Sequence, residues 1–295
     1  MEFVDQPNNI IAVLKVSDVE DIDILVDYIT DNGKGRIALS SDVCAKLINA
    51  KQRRIYTHDE LLEISYEIRR FGGNTLANLY RDARTSLFGH TNPLSSALDK
   101  ILPDSNAAID YQEVVIDIAS KLKTNYSKGD SVLSLEDAIL GKLLSDSFAK
   151  MTPEERKAVL DELGVRDLSM LKPGATAAAI AAGKFAGFAT YKIALIVANA
   201  ISRALLGKGL TFATNAMLTR TIGVVLGPVG WVITGLWTIA DMASPAYRVT
   251  VPCVVQLAYM RQKAIMKELS ISCGECKESN NKGNKFCSGC GSALS

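Results

Sequence analysis

Residues 227–252 read GPVGWVITGLWTIADMASPAYRVTVP. The stretch decides the fold, because it is apolar enough for a bilayer or a buried core, yet glycine and proline interrupt it where one straight helix would want neither. It overlaps a run, residues 221–240, of twenty positions without a charge, long enough to cross the roughly 30 Å hydrocarbon core of a membrane. Gly223, Gly227, Pro228, Gly230 and Gly235 loosen any single helix there, and Gly227-Pro228-Val229-Gly230 has the composition of a turn. The expectation is a hydrophobic helical hairpin or broken helix, carrying Trp231 and Trp237 and ending in the Tyr247-Arg248 segment.

Upstream, residues 174–209 (GATAAAIAAGKFAGFATYKIALIVANAISRALLGKG) are helical in pattern but broken by Lys184, Lys192 and Arg203. Gly183 and Gly187 form a small-xxx-small pair that lets another backbone approach closely. Lys184 and Lys192 share one helical face, so a surface-lying amphipathic helix also fits. Between Leu171 and Arg261 there are eight basic residues and one acid, Asp241, a net of +7 that leaves −6 for the rest of a chain totalling +1. Anionic headgroups reward each nearby cation by about 1 kcal/mol, whereas burying a cation costs energy. Membrane association, with insertion or pore formation included, is therefore the leading expectation for this region. The alternative is a soluble assembly-factor or chaperone-like interaction module in which the same segment is a buried core. Arg248, flanked by apolar runs, either snorkels to an interface or pairs with a carboxylate, and Asp241 is the nearest.

Residues 1–165 alternate charged and apolar positions at helical spacing, as in Leu61, Leu62, Ile64, Ile68 and in Val114, Val115, Ile118, Leu122. Capping boxes are expected at Ser17–Glu20 and Thr57–Glu60, and Thr152-Pro153-Glu154-Glu155 opens another helix with proline at its first position. Breaks are expected at Asn32-Gly33-Lys34-Gly35, at Gly72-Gly73-Asn74, around 89–93 and at Lys128-Gly129-Asp130. This half reads as a bundle of roughly six to eight helices, with no run of alternating strands.

Four of the six cysteines stand in the tail as Cys273-Gly-Glu-Cys276 and Cys287-Ser-Gly-Cys290. A two-residue spacer lets both sulfurs of a knuckle reach one ion, and two knuckles complete a four-thiolate shell for structural Zn2+. A tail this short holds only Phe286 and Leu294 as large apolar residues, so metal binding would supply its folding free energy. The competing reading is a redox dithiol pair, whose usual βαβ setting is missing. Cys44 and Cys253 lie apart in apolar surroundings.

Other chemistry is thin. There is no phosphate loop, dinucleotide fingerprint, nucleophile elbow or H-E-x-x-H helix. His58 follows a capping threonine and reads as a solvated side chain, and His90 sits in a Gly-His-Thr-Asn-Pro loop. The near-neutral total gives no chain-wide nucleic-acid footprint. An N-terminus of MEFVDQPNNI, without a basic region ahead of an apolar one, does not read as a secretory signal. The expected location is the cytoplasm, with association at the inner membrane if the hydrophobic region engages lipid.

Two strings carry a resemblance. Residues 71–81, FGGNTLANLYR, and residues 244–258, SPAYRVTVPCVVQLA, resemble signature segments of the bacterial YaaW family, which is grouped with ubiquinol-cytochrome c chaperone-like helical proteins. Residues 117–123 and 151–156 are similar to its intermediate segments, so the likeness spans roughly residues 20–262. It implies a mostly α-helical bacterial protein with no established catalytic residues to carry over. The cysteine tail departs from the family's shorter members and looks like an appended module; the chaperone label is a fold-level analogy.

The sequence thus predicts an all-α protein in three parts: an amphipathic helical bundle over 1–165, a hydrophobic, cationic Gly/Ala-rich region of helical hairpins over 166–262, and a linker with a zinc ribbon over 263–295. It is expected not to be an enzyme. Its metal ligands are Cys273, Cys276, Cys287 and Cys290, and Gly183, Gly187, Gly227, Pro228, Gly230, Trp231, Trp237 and Arg248 serve membrane contact or packing. The partners in keeping with this are a bacterial membrane lipid, a protein reached through the zinc ribbon, and further copies of the chain in a homo-oligomer, but no nucleic acid.

Overall fold

A computed structural model describes residue 6 and residues 8–88, 108–127, 129–163, 188–210, 244–277 and 279–294. Among them run nine helices: α1 (Ile10–Val16), α2 (Val19–Thr30), α3 (Ser41–Arg53), α4 (His58–Phe88), α5 (Tyr111–Lys121), α6 (Val132–Lys150), α7 (Pro153–Leu163), α8 (Phe188–Leu206) and α9 (Tyr247–Leu269). Of two short strands, β1 (Ser270–Ser272) follows α9 without an intervening loop, and β2 (Ser279–Asn281) comes after the segment 273–278. The fold is all-α with a small cysteine-bearing hairpin at its end.

The capping chemistry explains several starts. Glu60 accepts the Thr57 N–H at 2.8 Å and Thr57 Oγ1 accepts the Glu60 N–H at 3.4 Å, the reciprocal box expected ahead of α4. Thr152 and Glu155 form the same pair at 2.8 and 3.2 Å around Pro153, the first residue of α7. The box expected at Ser17–Glu20 does not form. Ser17 instead closes α1, its hydroxyl donating to Val13 O at 2.7 Å. Asp18 and Glu20 face cations of other elements, Asp18 pairing with Lys263 and Lys267 and Glu20 with Arg54. Tertiary ion pairs have outcompeted the local cap.

The expected break at Gly72-Gly73-Asn74 is likewise corrected, since α4 continues through it to Phe88. A Cβ on Gly72 would stand 2.4 Å from Val114 Cγ2. The glycine is there for close approach of α4 to α5, not for a turn. At Asn32–Gly35 the loop is as expected, with φ of 58° at Asn32, 87° at Gly33 and 82° at Gly35.

α9 is the hub and packs against α1, α2, α4, α5, α6 and α8. Its residues 249–262 are buried on every side, including Thr250, Gln256, Arg261 and Gln262, the mark of a helix at the centre of a core. α8 is its main neighbour, with Tyr191 stacked on Tyr259 at 6.1 Å between ring centroids. Helices on both sides of residue 165 thereby share one hydrophobic cluster, from Val13 and Leu25 through Ile68, Ile118 and Leu144 to Ile196 and Val254.

Among the described residues one window, Ala189–Leu206 in α8, is long and apolar enough to cross a membrane, and 61% of it is buried within the chain. Gly183, Gly187, Gly227, Pro228, Gly230, Trp231, Trp237 and the run 221–240 lie outside the described residues, as do Asp241 and His90. Arg248 is the second residue of α9 and is exposed. His58 is exposed at the start of α4, as expected of a solvated side chain.

Candidate metal centre and a buried ionic cluster

β1 and β2 pair antiparallel, Ile271 opposite Asn280, and this hairpin carries the first cysteine knuckle in its turn. The backbone then folds back so that Cys287 N donates to Ser292 O at 2.7 Å and Gly291, at φ 76°, donates to Cys287 O at 2.9 Å. The second knuckle is thus brought against the first. Cys273 and Cys287 are buried, Cys276 and Cys290 exposed.

All four Sγ atoms lie within 4.8 Å of one another. Contacts of 3.6 Å for Cys273–Cys290 and 3.5 Å for Cys276–Cys287 both run across the knuckles. Thiolates bound tetrahedrally at about 2.3 Å would be separated by about 3.8 Å, so this donor set can hold one metal ion. Asn280, 4% exposed, donates from Nδ2 to Cys287 Sγ at 3.4 Å, and Gly289 N donates to the same sulfur at 3.3 Å. Ser292 Oγ lies 3.1 Å from Cys290 Sγ. The backbone N–H of Cys290 is the main influence holding the Cys287 thiol down to about 6; burial opposes it, and Gly289 and Asn280 assist. Hydrogen bonds to and from Ser292 lower Cys290 in the same way. Such sulfurs are ready to be thiolates, the form that binds metal.

A second constellation was not anticipated. Glu136 on α6 and Arg261 on α9 are 1% and 0% exposed, and Arg261 meets both carboxylate oxygens, Nε to Oε2 at 2.8 Å and Nη2 to Oε1 at 3.2 Å. Tyr111 of α5 donates to Glu136 Oε1 at 2.8 Å. One residue on, Gln262 Nε2 donates to Asp137 Oδ1 at 3.0 Å. Burial, reinforced by the neighbouring Glu136 charge, raises the Asp137 carboxyl to about 7. Burial works against the Arg261 charge, but Glu136 outweighs it and raises the guanidinium further. The sequence signal was Glu136 in the pattern Val132, Leu135, Ile139, Leu140, Leu143, where a charge interrupts an otherwise apolar face. Arg261 gave no comparable signal, standing at the end of a cationic region.

The charge imbalance between the halves also has a structural use. α2 carries Asp21, Asp23 and Asp27, which are ion-paired with Lys263, Arg54, and both Lys51 and Lys208. Lys208 and Arg261 of the cationic region thus neutralise acids of the front half, Asp27 at 2.5 Å and Glu136 at 2.8 Å. That part of the +7 ties the halves together, Arg261 wholly buried and Lys208 at the surface.

An all-α bundle whose core crosses both halves and ends in a four-cysteine cluster able to hold a metal ion defines the class. The chain belongs to the family described as Ubiquinol-cytochrome C chaperone, whose model matches residues 70–255, and its relatives belong to the UPF0174 group that includes YaaW. It is 38% identical over 207 residues to a UPF0174 protein of Helicobacter pylori strain J99, covering 70% of this chain and 79% of the relative. A second Helicobacter pylori UPF0174 protein, from strain 26695, is 32% identical over 225 residues, 74% of this chain and 96% of that one. UPF0174 protein YaaW of Escherichia coli K12 is 25% identical over 238 residues, 79% of this chain and 85% of its own length. No solved structure matches. The family match contains Tyr111 and Glu136 but ends before Arg261 and the four tail cysteines.

Proposed function

We propose that the protein is a non-enzymatic, chaperone-like assembly factor of the cytoplasm, whose helical bundle is soluble and whose tail is a zinc ribbon that docks a protein partner. The observation that carries this is the use made of the apolar helices: α8, long enough for a bilayer, is mostly buried against α9, and α9 forms the centre of the bundle. A helix whose apolar surface is already covered has little to offer lipid. The family's description, Ubiquinol-cytochrome C chaperone, agrees with this reading.

Structural Zn2+ is the ion we assign to Cys273, Cys276, Cys287 and Cys290. Four thiolates suit it, and a shell closed by protein ligands has no open position for substrate. Phe286, 65% exposed beside the second knuckle, and Leu269, 42% exposed at the end of α9, are large apolar side chains open to solvent. Lys282 and Lys285 are exposed in the same module. The exposed apolar side chains favour a protein partner that accepts an apolar anchor.

Membrane association is the second reading. It is supported by the uncharged residues 221–240 and by the exposed Arg203 and Arg248 on the helices that precede and follow them. Flotation with anionic liposomes separates the two. Zinc-loaded protein purified without detergent is expected to run as one species and stay at the bottom of the gradient. Recovery in the floating fraction would overturn the soluble reading in favour of insertion or pore formation. Partner binding is expected to survive mutation of surface residues on α3 and to be lost when residues 270–295 are deleted.

A further inference from the structure

We infer that Asn280 is a positioning residue of the metal centre: its buried side-chain amide orients Cys287 toward the ion and ties the β1–β2 hairpin to the second knuckle. The inference rests on the reading of the four cysteines as a metal site and goes beyond it to a residue that is not a ligand.

Asn280 sits in β2 opposite Ile271, on the hairpin whose turn carries Cys273 and Cys276. Its side chain crosses to the other knuckle. Nδ2 donates to Cys287 Sγ at 3.4 Å, while Oδ1 accepts from Ser288 N at 2.7 Å and from Ser288 Oγ at 2.9 Å. One amide therefore touches a ligand sulfur and the backbone of the residue that follows it. At 4% exposure, among described residues of the module whose other buried side chains are those of Cys273 and Cys287, this polar group is enclosed and its amide is committed to the second knuckle.

The chemistry follows from the donor's polarity. A metal held by four thiolates leaves two negative charges in excess on the sulfurs, and an N–H aimed at one of them stabilises that charge and sets the direction of its lone pairs. Removing partners of this kind weakens metal binding by about 10–100-fold. Aspartate has the shape of asparagine but no donor. Asn280→Asp keeps an acceptor for Ser288 and places a carboxylate against the Cys287 thiolate, so the N–H···S contact is lost while the tie to the backbone survives.

The test is zinc affinity of the full chain by competition with a chromophoric chelator, together with the charge-transfer spectrum of the protein loaded with cobalt(II). Asn280→Asp is expected to bind zinc at least about tenfold more weakly than the unaltered protein and to shift the sulfur-to-cobalt band. Lys282→Ala, two residues away and exposed, should change neither. A loss of less than about tenfold in Asn280→Asp, or an unshifted cobalt band, overturns the proposal. If that variant does not fold, as judged by its helical signal, Asn280→Ala is held to the same two criteria. Failure of the unaltered protein to bind zinc or cobalt would instead sink the metal-site reading itself.

Discussion

Replacing Glu136 with Gln should destabilise the protein far more than any surface ion pair does, and the cause lies in what is left behind. Glu136 and Arg261 are 1% and 0% exposed, so neither charge can recover water when its partner goes. Gln keeps the volume of Glu and an oxygen for Tyr111, but the buried Arg261 guanidinium would lose its hydrogen-bonded counter-charge and keep only the nearby Asp137 carboxyl, itself raised to about 7. Breaking such a pair from one side costs about 3–5 kcal/mol, against about 0–1 kcal/mol for an exposed pair. Arg261→Met should cost a similar amount by stranding the carboxylate. The double variant, Glu136→Gln with Arg261→Met, removes both charges of the pair and retains the Tyr111 acceptor. It should lie within about 2 kcal/mol of the unaltered protein, because well-packed neutral groups often replace a buried pair at little cost. Guanidinium unfolding of zinc-saturated protein at pH 7.5, followed at 222 nm, measures all four corners of the cycle. Each single variant should also lower Tm by roughly 6–20 °C for a chain of this size. Singles that cost under about 1 kcal/mol each and add in the double variant would refute the argument, for the pair would then behave as though solvated.

Three further outcomes follow from other sites. Asp137, raised to about 7 in the folded protein from 3.8, holds its proton when the unfolded chain has already lost it, so its contribution to stability falls as pH rises between about 4 and 7. Asp137→Asn keeps the acceptor for Gln262 and should match the unaltered protein near pH 5 more closely than at pH 8, where it should be more stable by about 1–3 kcal/mol; an equal difference at both pH values, by urea unfolding, would contradict this. Gly72→Ala would gain about 1 kcal/mol in an open helix, but its Cβ would fall 2.4 Å from Val114 Cγ2, and a net loss of about 1–3 kcal/mol is expected. Adding Val114→Ala should relieve the clash, as thermal unfolding of the three variants would reveal. Chelation of the metal should unfold the β1–β2 module, which has no core of its own, while the helical signal at 222 nm persists. The check is the rate of Cys273 and Cys287 alkylation with and without chelator, and unchanged rates would count against a bound metal.

Asn280 and the Glu136–Arg261 pair show where reading from sequence stops. The cysteine knuckles were legible because a two-residue spacer is a local constraint: both sulfurs of a knuckle must reach one ion whatever the rest of the chain does. Thr57–Glu60 was legible for the same reason, as a capping box closes within four residues. Ser17–Glu20 carries the same letters and fails, because Asp18 and Glu20 find Lys263, Lys267 and Arg54, partners tens to hundreds of positions away. Gly72 has the letters of a break yet lies within α4, since glycine serves turns and close approaches alike, and only the position of Val114 decides which.

By itself, then, the sequence determined the helical class, the starts of α4 and α7, and the spacing of four cysteines that could hold one metal ion, all of them set by interactions that close within a few residues or repeat at a helical period. Only the tertiary structure decided that residues 247–269 form the central helix, that Lys208 and Arg261 neutralise Asp27 and Glu136, and that Asn280 reaches across to Cys287. Composition shows how much apolar surface and charge a chain must place. What each is placed against depends on which distant segments meet, and that is a property of the packed whole.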